Sequence, residues 1–198
     1  MNMKCILFLI LSYFSVYKFT TFTEALLNIS KIMKLSFLLF PVLFFTSFGQ
    51  AQSNAAEKEI ISTVVDAWHK AAAEANFDAY FGLMSDDAIF IGTDATENWN
   101  KTEFKKYAKP HFDKGKAWNF NPLQRNIYFS ADKKTAWFDE LLDTQMKICR
   151  GSGVLIKVKK KWKIAHYVLS ISIPNEFSNE VIKLKANSDN LLIKKLKK

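Results

Sequence analysis

The sequence predicts an α+β domain over residues 52–177, in which three N-terminal helices pack in a strongly curved, mostly antiparallel sheet. Three features support this fold class. Apolar residues recur first at helical spacing and then in alternation, and short polar turns separate the alternating segments. Short connections favour antiparallel hairpins, in which successive strands reverse direction. Helices followed by such a curved sheet can enclose a cavity.

The three helices are predicted from apolar stripes and from residues that can cap a helix end. The first begins at Asn54 and continues for about five turns. The second covers residues 77–84. The third begins at Asn100, whose side chain can accept hydrogen bonds from the free amides of the first turn. Pro110 lies late in this helix and is expected to bend or end it.

Five strands are predicted after the second helix. A short strand covers residues 88–92, and a polar loop follows it as far as Trp99. The third helix comes next. The remaining strands then cover residues 117–129, 135–146, 148–158 and 162–173.

The net charge of +9 is concentrated near the two ends of the chain. Residues 1–51 hold four lysines and one acid, and residues 175–198 hold six lysines and three acids. About +3 therefore remains for the central domain. A charge this small and this scattered does not make a nucleic-acid-binding surface, so we expect no nucleic-acid partner.

Residues 33–51 are predicted to be a secretory signal peptide. Lys34 gives it a basic start, an apolar stretch follows, and Gly49 and Ala51 supply small residues at the cleavage site. We expect cleavage after Ala51 and a periplasmic or secreted protein. Residues 1–32 are then either an over-extended gene start or a genuine leader or membrane anchor.

Residues 178–198 are predicted to form a basic amphipathic tail. Leucines at positions 184, 191, 192 and 196 alternate with lysines at helical spacing. Such a tail either packs on the domain or frays from it. Attachment to a membrane surface is the alternative.

Five stretches of the chain together carry a family resemblance: residues 89–94, 96–99, 136–140, 149–155 and 162–170. In this order they resemble the NTF2-like superfamily, and within it the SnoaL-like and ketosteroid-isomerase-like group. The resemblance implies a cone-shaped fold with a pocket at its open end, and a homodimer formed sheet to sheet. The superfamily contains enzymes, binding modules and assembly modules, so the fold alone does not settle the function.

Two residues are candidates for acid–base chemistry. Alternation on the last strand places His166 on one face with Trp162, Ile164, Val168 and Ser170. His166 is therefore expected to line the pocket. The more specific hypothesis is that His166 acts as a general base.

The second candidate comes from a pair of adjacent acids. Asp139 and Glu140 face opposite sides of their strand, so only one of them can face the pocket. Both faces of that strand are apolar enough to leave the choice open, and we favour Asp139.

The pocket wall is expected to be mostly aromatic and apolar. Its candidate ligand-binding residues are Phe90, Trp99, Tyr107, Trp118, Trp137, Arg150, Val168 and Ser170. Tyr107 can donate a hydrogen bond. Arg150 can bind a ligand carboxylate, or equally pair with Asp94 or Glu97.

No cofactor and no metal site are expected. The three histidines have no paired-ligand spacing, and no phosphate loop or dinucleotide fingerprint occurs.

Three functions fit these observations. The leading hypothesis is an exported homodimer that binds a small organic molecule in an apolar pocket, with no assigned turnover. The first alternative is an enzyme of the ketosteroid-isomerase or dehydratase kind with Asp139 or His166 as its base. The second is an assembly or accessory module without catalysis.

Overall fold

The structure is a computed structural model that describes residues 55–197. The predicted signal peptide, residues 1–32 and the predicted cap Asn54 lie outside these residues. The helices are α1 (residues 55–73), α2 (Phe77–Gly82), α3 (Lys101–Asp113) and α4 (Ser178–Leu196). The strands are β1 (Met84–Ile91), β2 (Asn98–Asn100), β3 (Asn121–Phe129), β4 (Thr135–Thr144), β5 (Lys147–Val158) and β6 (Lys161–Ile171).

The three N-terminal helices form as the apolar spacing predicts. Asn100 and Glu103 make a capping box at the start of α3, in which the Asn100 side chain accepts hydrogen bonds from the amides of Thr102 and Glu103. Pro110 lies inside α3 and does not end it, because the helix continues to Asp113. The first turns of α3 are thus fixed by residues that are close together in sequence.

The six strands form one sheet in the order β2-β1-β6-β5-β4-β3. All neighbouring strands are antiparallel except β1 and β6, which are parallel. The predicted α+β fold with a mostly antiparallel sheet is therefore confirmed. Strand β2 occupies the end of the predicted polar loop, where Trp99 pairs with Phe90 of β1. Strand β1 begins at Met84, which was expected to end the second helix.

The inner face of the sheet packs against α1, α2 and α3. Trp68 of α1 stacks on Tyr80 of α2 at a ring-centroid distance of 4.8 Å, and meets Tyr167 of β6 edge-on at 4.9 Å. All three side chains are buried. Burial of each large ring stabilises the fold by about 1.5–3 kcal/mol, so this aromatic contact fixes the helices on the sheet.

A bulge at Ala165 reverses the faces of β6. Ile164 pairs with Leu155 of β5 and His166 pairs with Val154, so Ala165 has no partner on that strand. Because side chains alternate with a period of two, one extra residue moves every later side chain to the opposite face.

The expected face of β6 is therefore wrong after the bulge. Tyr167 and Leu169 are buried on the inner face. His166, Val168 and Ser170 lie on the outer face of the sheet, away from the helices. A uniform alternation does not predict this change of face, because the bulge depends on how β6 pairs with its neighbours β1 and β5.

Strand β4 keeps a regular alternation, and it places the two adjacent acids on opposite faces. Glu140 is on the inner face with Phe138, and its side chain is buried. Asp139 is on the outer face with Trp137. The expectation that Asp139 faces the pocket is thus wrong, and Glu140 takes the inner position.

Residues 178–196 form helix α4, and none of its residues is buried. Leu184 is 84% exposed and Leu191 is 73% exposed. The tail thus forms the expected helix without burying its apolar side chains on the domain. None of the helices within residues 55–197 combines the length and the apolarity needed to span a bilayer.

Candidate functional site

A cavity of about 160 Å³ lies between α3, the β1–β2 loop, the β4–β5 turn and the segment before β3. Leu169 of β6 and Met146 of the β4–β5 turn contribute to its wall, and Thr93 and Gln145 add polar groups. Six further lining residues are aromatic: Phe90, Trp99, Phe104, Tyr107, Trp118 and Phe120.

Four of these rings form a stacked layer along one side of the cavity. Phe90 stacks on Phe104 at 4.0 Å between ring centroids, and Trp99 stacks on Tyr107 at 4.3 Å. Trp99 and Phe104 are also stacked, at 5.7 Å. Because each ring is held by its neighbour, the wall is a packed and preformed aromatic surface.

Glu97 is the one charged side chain among the described residues that line the cavity. Its Oε2 atom accepts a hydrogen bond from the Asp94 amide at 3.1 Å, and the Gly92 amide donates to the Glu97 carbonyl oxygen at 3.0 Å. The carboxylate also lies where a Cβ atom on Gly92 would be. The loop from Gly92 to Glu97 therefore holds the carboxylate at the cavity, and a Cβ atom at position 92 would displace the carboxylate from this position.

The hydroxyl group of Tyr107 lies in the field of this carboxylate. Burial raises the pKa of Tyr107, and the charge of Glu97 raises it further. The hydroxyl group of Tyr107 therefore stays protonated over the physiological range and can act as a hydrogen-bond donor.

A second cluster of polar groups is centred on the buried Glu140. Its Oε1 atom is 2.8 Å from Nε2 of His69 and accepts a hydrogen bond from the Tyr167 hydroxyl at 3.0 Å. Its Oε2 atom accepts two hydrogen bonds from Arg125, from Nε at 2.9 Å and from Nη2 at 2.8 Å. Arg125 also donates to Asp66 at 2.7 Å, which links the sheet to α1.

The charges of this cluster balance one another. Burial alone would raise the pKa of Glu140, but the hydrogen bond and charge of His69 and the charge of Arg125 outweigh it and hold the pKa below its ordinary value of 4.5. The pKa of Tyr167 is raised, first by burial and then by the charge of Glu140. Glu140 is therefore an ionised carboxylate inside the protein, fully engaged by its neighbours.

Phe120 separates this cluster from the cavity. Its ring lines the cavity and meets the ring of His69 edge-on at 5.7 Å. His69, Glu140 and Tyr167 are not among the residues that line the cavity. The cavity and the polar cluster are therefore neighbouring but distinct parts of the interior.

A family model described as a SnoaL-like domain matches residues 61–174. This match covers more than half of the 198 residues. The chain belongs to the SnoaL-like domain family. No curated protein matches the chain significantly.

Solved structures with the same fold resemble this SnoaL-like domain at low sequence identity. An NTF2-like protein of unknown function from Pseudomonas putida KT2440 has a TM-score of 0.51, with 15% identity over 62% of this chain and 91% of that chain. A candidate dehydratase of the NTF2-like family from Streptomyces avermitilis has a TM-score of 0.53, with 10% identity over 61% and 99% of the two chains. The association domain of CaMKII from C. elegans has a TM-score of 0.50, with 17% identity over 60% and 98%. These likenesses confirm the NTF2-like fold and, at such identities, the fold alone.

Four of the expected pocket residues of the SnoaL-like domain line the cavity. These are Phe90, Trp99, Tyr107 and Trp118. They come together because α3 and the segment before β3 pack over the β1–β2 hairpin.

Six of the expected site residues lie on the outer face of the sheet instead. These are Trp137, Asp139, Arg150, His166, Val168 and Ser170. Asp139 accepts a hydrogen bond from the Asn126 side chain at 3.0 Å. Within residues 55–197, Arg150 forms neither of the expected ion pairs with Asp94 and Glu97. Regular alternation along β4 and β5 places Trp137, Asp139 and Arg150 there. The bulge at Ala165 places the three residues of β6 there.

Sequence reasoning missed three polar residues: Glu97 beside the cavity, and His69 and Arg125 in the interior. Glu97 was weighed only as an ion-pair partner of Arg150, although it lies in the polar loop beside a predicted pocket residue. His69 follows Trp68 on the buried side of α1, and Arg125 lies on a predicted strand. No spacing in the sequence joins His69 to Arg125, because only the folded sheet brings both to Glu140.

No group of three or more His, Cys, Asp or Glu residues in the described part of the chain is arranged to hold a metal ion. In the polar cluster, Arg125 supplies the positive charge that balances Glu140.

Proposed function

We propose that this SnoaL-like domain is an exported protein that binds a small organic molecule in its aromatic cavity, with no assigned turnover. The observation that carries the proposal is the preformed cavity of about 160 Å³ with six aromatic rings in its wall. A cavity of roughly 150 Å³ lined by apolar side chains is large enough to bind benzene. The ligand is therefore of the size of a single ring, smaller than the occupants of typical drug-sized pockets.

The polar cluster supports binding over catalysis. Glu140 has no exposed side-chain surface, and both of its oxygens are already bound by His69, Tyr167 and Arg125. A general base needs a free lone pair within reach of the substrate. Asp139 and His166 do not meet that requirement for a substrate in the cavity either, because both lie on the outer face.

The same proposal includes a homodimer formed through the outer face of the sheet. Tyr128 and Trp137 stack there with ring centroids 5.9 Å apart, and each is 45% exposed. Exposed aromatic pairs on a sheet are typical of surfaces that contact another protein. A self-complementary sheet face suits a second copy of the same chain.

The ligand proposal is tested by screening one-ring organic molecules with ligand-observed NMR on the purified protein. Trp99→Leu removes a ring from the cavity wall and should weaken binding by at least about tenfold, since one aromatic contact is worth about 1 kcal/mol beyond its buried area. Trp137→Leu is the matched control, because it makes the same substitution on the outer face. Binding that survives Trp99→Leu unchanged would place the ligand elsewhere and refute the proposal.

The homodimer is tested by sedimentation velocity over a range of concentrations. Trp137→Glu places a charge on the outer face and should convert a dimer to a monomer, because an unpaired charge in an interface is costly. Lys106→Glu is a control for the added charge, because Lys106 is exposed on α3, which packs against the opposite face of the sheet. A wild-type protein that sediments as a monomer at every concentration would contradict this part of the proposal.

Export is tested by mass spectrometry of the protein recovered from its final compartment. We expect an N-terminus near Gln52, which is the product of cleavage after Ala51. A mature chain that starts at Met1 would refute the signal-peptide hypothesis.

A further inference from the structure

We propose that the cavity selects a small organic cation, whose ammonium group lies between the Glu97 carboxylate and the aromatic wall formed by Trp99 and Tyr107. This inference rests on the proposed small-molecule binding and names the chemical class of the ligand. It follows from the one charged side chain in the cavity lining, from the Oε1 atom of Glu97, for which the described residues offer no donor, and from the aromatic wall.

The first observation is the local charge. The chain has a net charge of +9, yet the described residues lining the cavity include one charged side chain, and it is an acid. Asp94 lies in the same loop. Neither acid forms an ion pair with a lysine or arginine of residues 55–197. The described lining of the cavity therefore carries a negative charge on a positively charged protein, and this charge attracts cations.

The second observation is an acceptor atom of Glu97 that has no donor among residues 55–197. The Asp94 amide occupies its Oε2 atom. No donor within the described part of the chain lies within hydrogen-bond distance of Oε1. A half-buried carboxylate beside apolar rings is costly unless it is paired, so a ligand that donates to Oε1 or carries a positive charge gains from this arrangement.

The third observation is the aromatic wall itself. Six rings surround a space of single-ring size, and Trp99 and Tyr107 form one flat stacked unit beside Glu97 in the cavity lining. The face of an aromatic ring is negative and binds an ammonium group with about 0.5–2 kcal/mol. The same faces and the carboxylate disfavour an anion. A ring-bearing ammonium ion thus satisfies both the shape and the charge of the cavity.

The test compares three probes of nearly equal shape: benzylammonium, benzyl alcohol and benzoate. Their dissociation constants for the purified full chain are measured by NMR titration at pH 7, together with the chemical-shift changes of the Trp99 indole. Benzylammonium should bind about tenfold more tightly than benzyl alcohol, and benzoate should not bind detectably. Addition of salt should weaken benzylammonium binding and leave benzyl alcohol binding unchanged.

Two variants locate the effect at the carboxylate. Glu97→Gln keeps the shape of the side chain, and it should remove most of the preference for benzylammonium over benzyl alcohol, leaving only the part that the rings contribute. Gly92→Ala should do the same, because its Cβ atom displaces the carboxylate. Asp139→Asn is the matched control, since it removes one acid from the outer face and should change none of the three affinities.

The outcomes separate this inference from the function on which it rests. Equal affinities for benzylammonium and benzyl alcohol, both lost in Trp99→Leu, would overturn the cation class and leave a neutral-ligand cavity. A preference for benzylammonium that is undiminished in Glu97→Gln would also overturn it. Failure of all three probes to perturb Trp99 would overturn the single-ring binding proposal together with this inference.

Discussion

Two neighbouring residues of β4 show how differently the two faces of the sheet are used. Glu140 points to the inner face, where its oxygens are held by Arg125, His69 and Tyr167. Asp139 points to the outer face, where its one described hydrogen-bond donor is the Asn126 side chain. The two acids are similar in chemistry and adjacent in sequence. The face alone determines whether a carboxylate is part of the core or part of a surface.

The largest expected difference between the faces is in stability. Glu140→Gln leaves the side chain of Arg125 buried with only the half-exposed Asp66 to balance it, and should lower the free energy of unfolding by about 3–5 kcal/mol. Asp139→Asn should change it by no more than about 0.5 kcal/mol. Urea unfolding at pH 7 and one fixed protein concentration measures both. Equal effects of the two substitutions would contradict the assignment of the faces.

The contribution of Glu140 should also depend on pH. His69 and Arg125 hold the pKa of Glu140 below 4.5 in the folded state, against the opposing effect of burial. The stabilisation is therefore fully present above pH 4.5 and is lost as the pH falls through the lowered folded value.

This pH effect is isolated by subtraction. We expect the difference in free energy of unfolding between the wild type and Glu140→Gln to be constant from pH 7 to about pH 5 and to shrink at lower pH. The carboxylates that do not contact this cluster are common to both proteins and cancel. A difference that grows as the pH falls would show that the folded pKa of Glu140 is raised rather than lowered.

A smaller difference in stability between the two faces is expected at the adjacent residues Gly151 and Ser152 of β5. Gly151 faces inward, and a Cβ atom there would collide with the Tyr167 hydroxyl and come within 3.0 Å of Cγ of Glu140. Gly151→Ala should therefore destabilise the protein by about 1–3 kcal/mol. Ser152→Ala on the outer face should be nearly neutral. Thermal unfolding of both variants tests this, and a neutral Gly151→Ala would show that the polar cluster has room to adjust.

The smallest expected effect on stability is at the aromatic pair of the outer face. Tyr128 and Trp137 are cross-strand neighbours on β3 and β4. In a monomer, Tyr128→Ala should cost about 0.2–1 kcal/mol, as exposed cross-strand pairs do. Unfolding at low and high protein concentration measures it. A much larger loss that appears only at high concentration would show that the outer face is buried in a dimer, and would sharpen the contrast between the faces.

The sequence predicts much of the fold because its signals are local. The capping box of Asn100 and Glu103 acts within one helical turn, so the start of α3 is readable from four residues. Apolar alternation likewise locates β4 and β5 to within a few residues. The family resemblance reinforces the order of these elements, and the match over residues 61–174 confirms it.

The aromatic part of the cavity was also accessible from the sequence. Trp99, Tyr107 and Trp118 were expected in the pocket wall, and all three line the cavity. Glu97 was not assigned there, because its orientation depends on the tight contact with Gly92. That contact is a property of the folded loop.

The sequence by itself determined the helices and the antiparallel strands, because each depends on residues within a few positions of one another. It also determined which aromatic side chains were present to form a cavity wall. Only the tertiary structure decided which side chains face inward. The unpaired Ala165 shifts the register of β6 against β5, and this places His166 outside and Tyr167 inside. The cluster around Glu140 likewise joins α1, β3 and β6, and such contacts between distant segments form only when the chain folds.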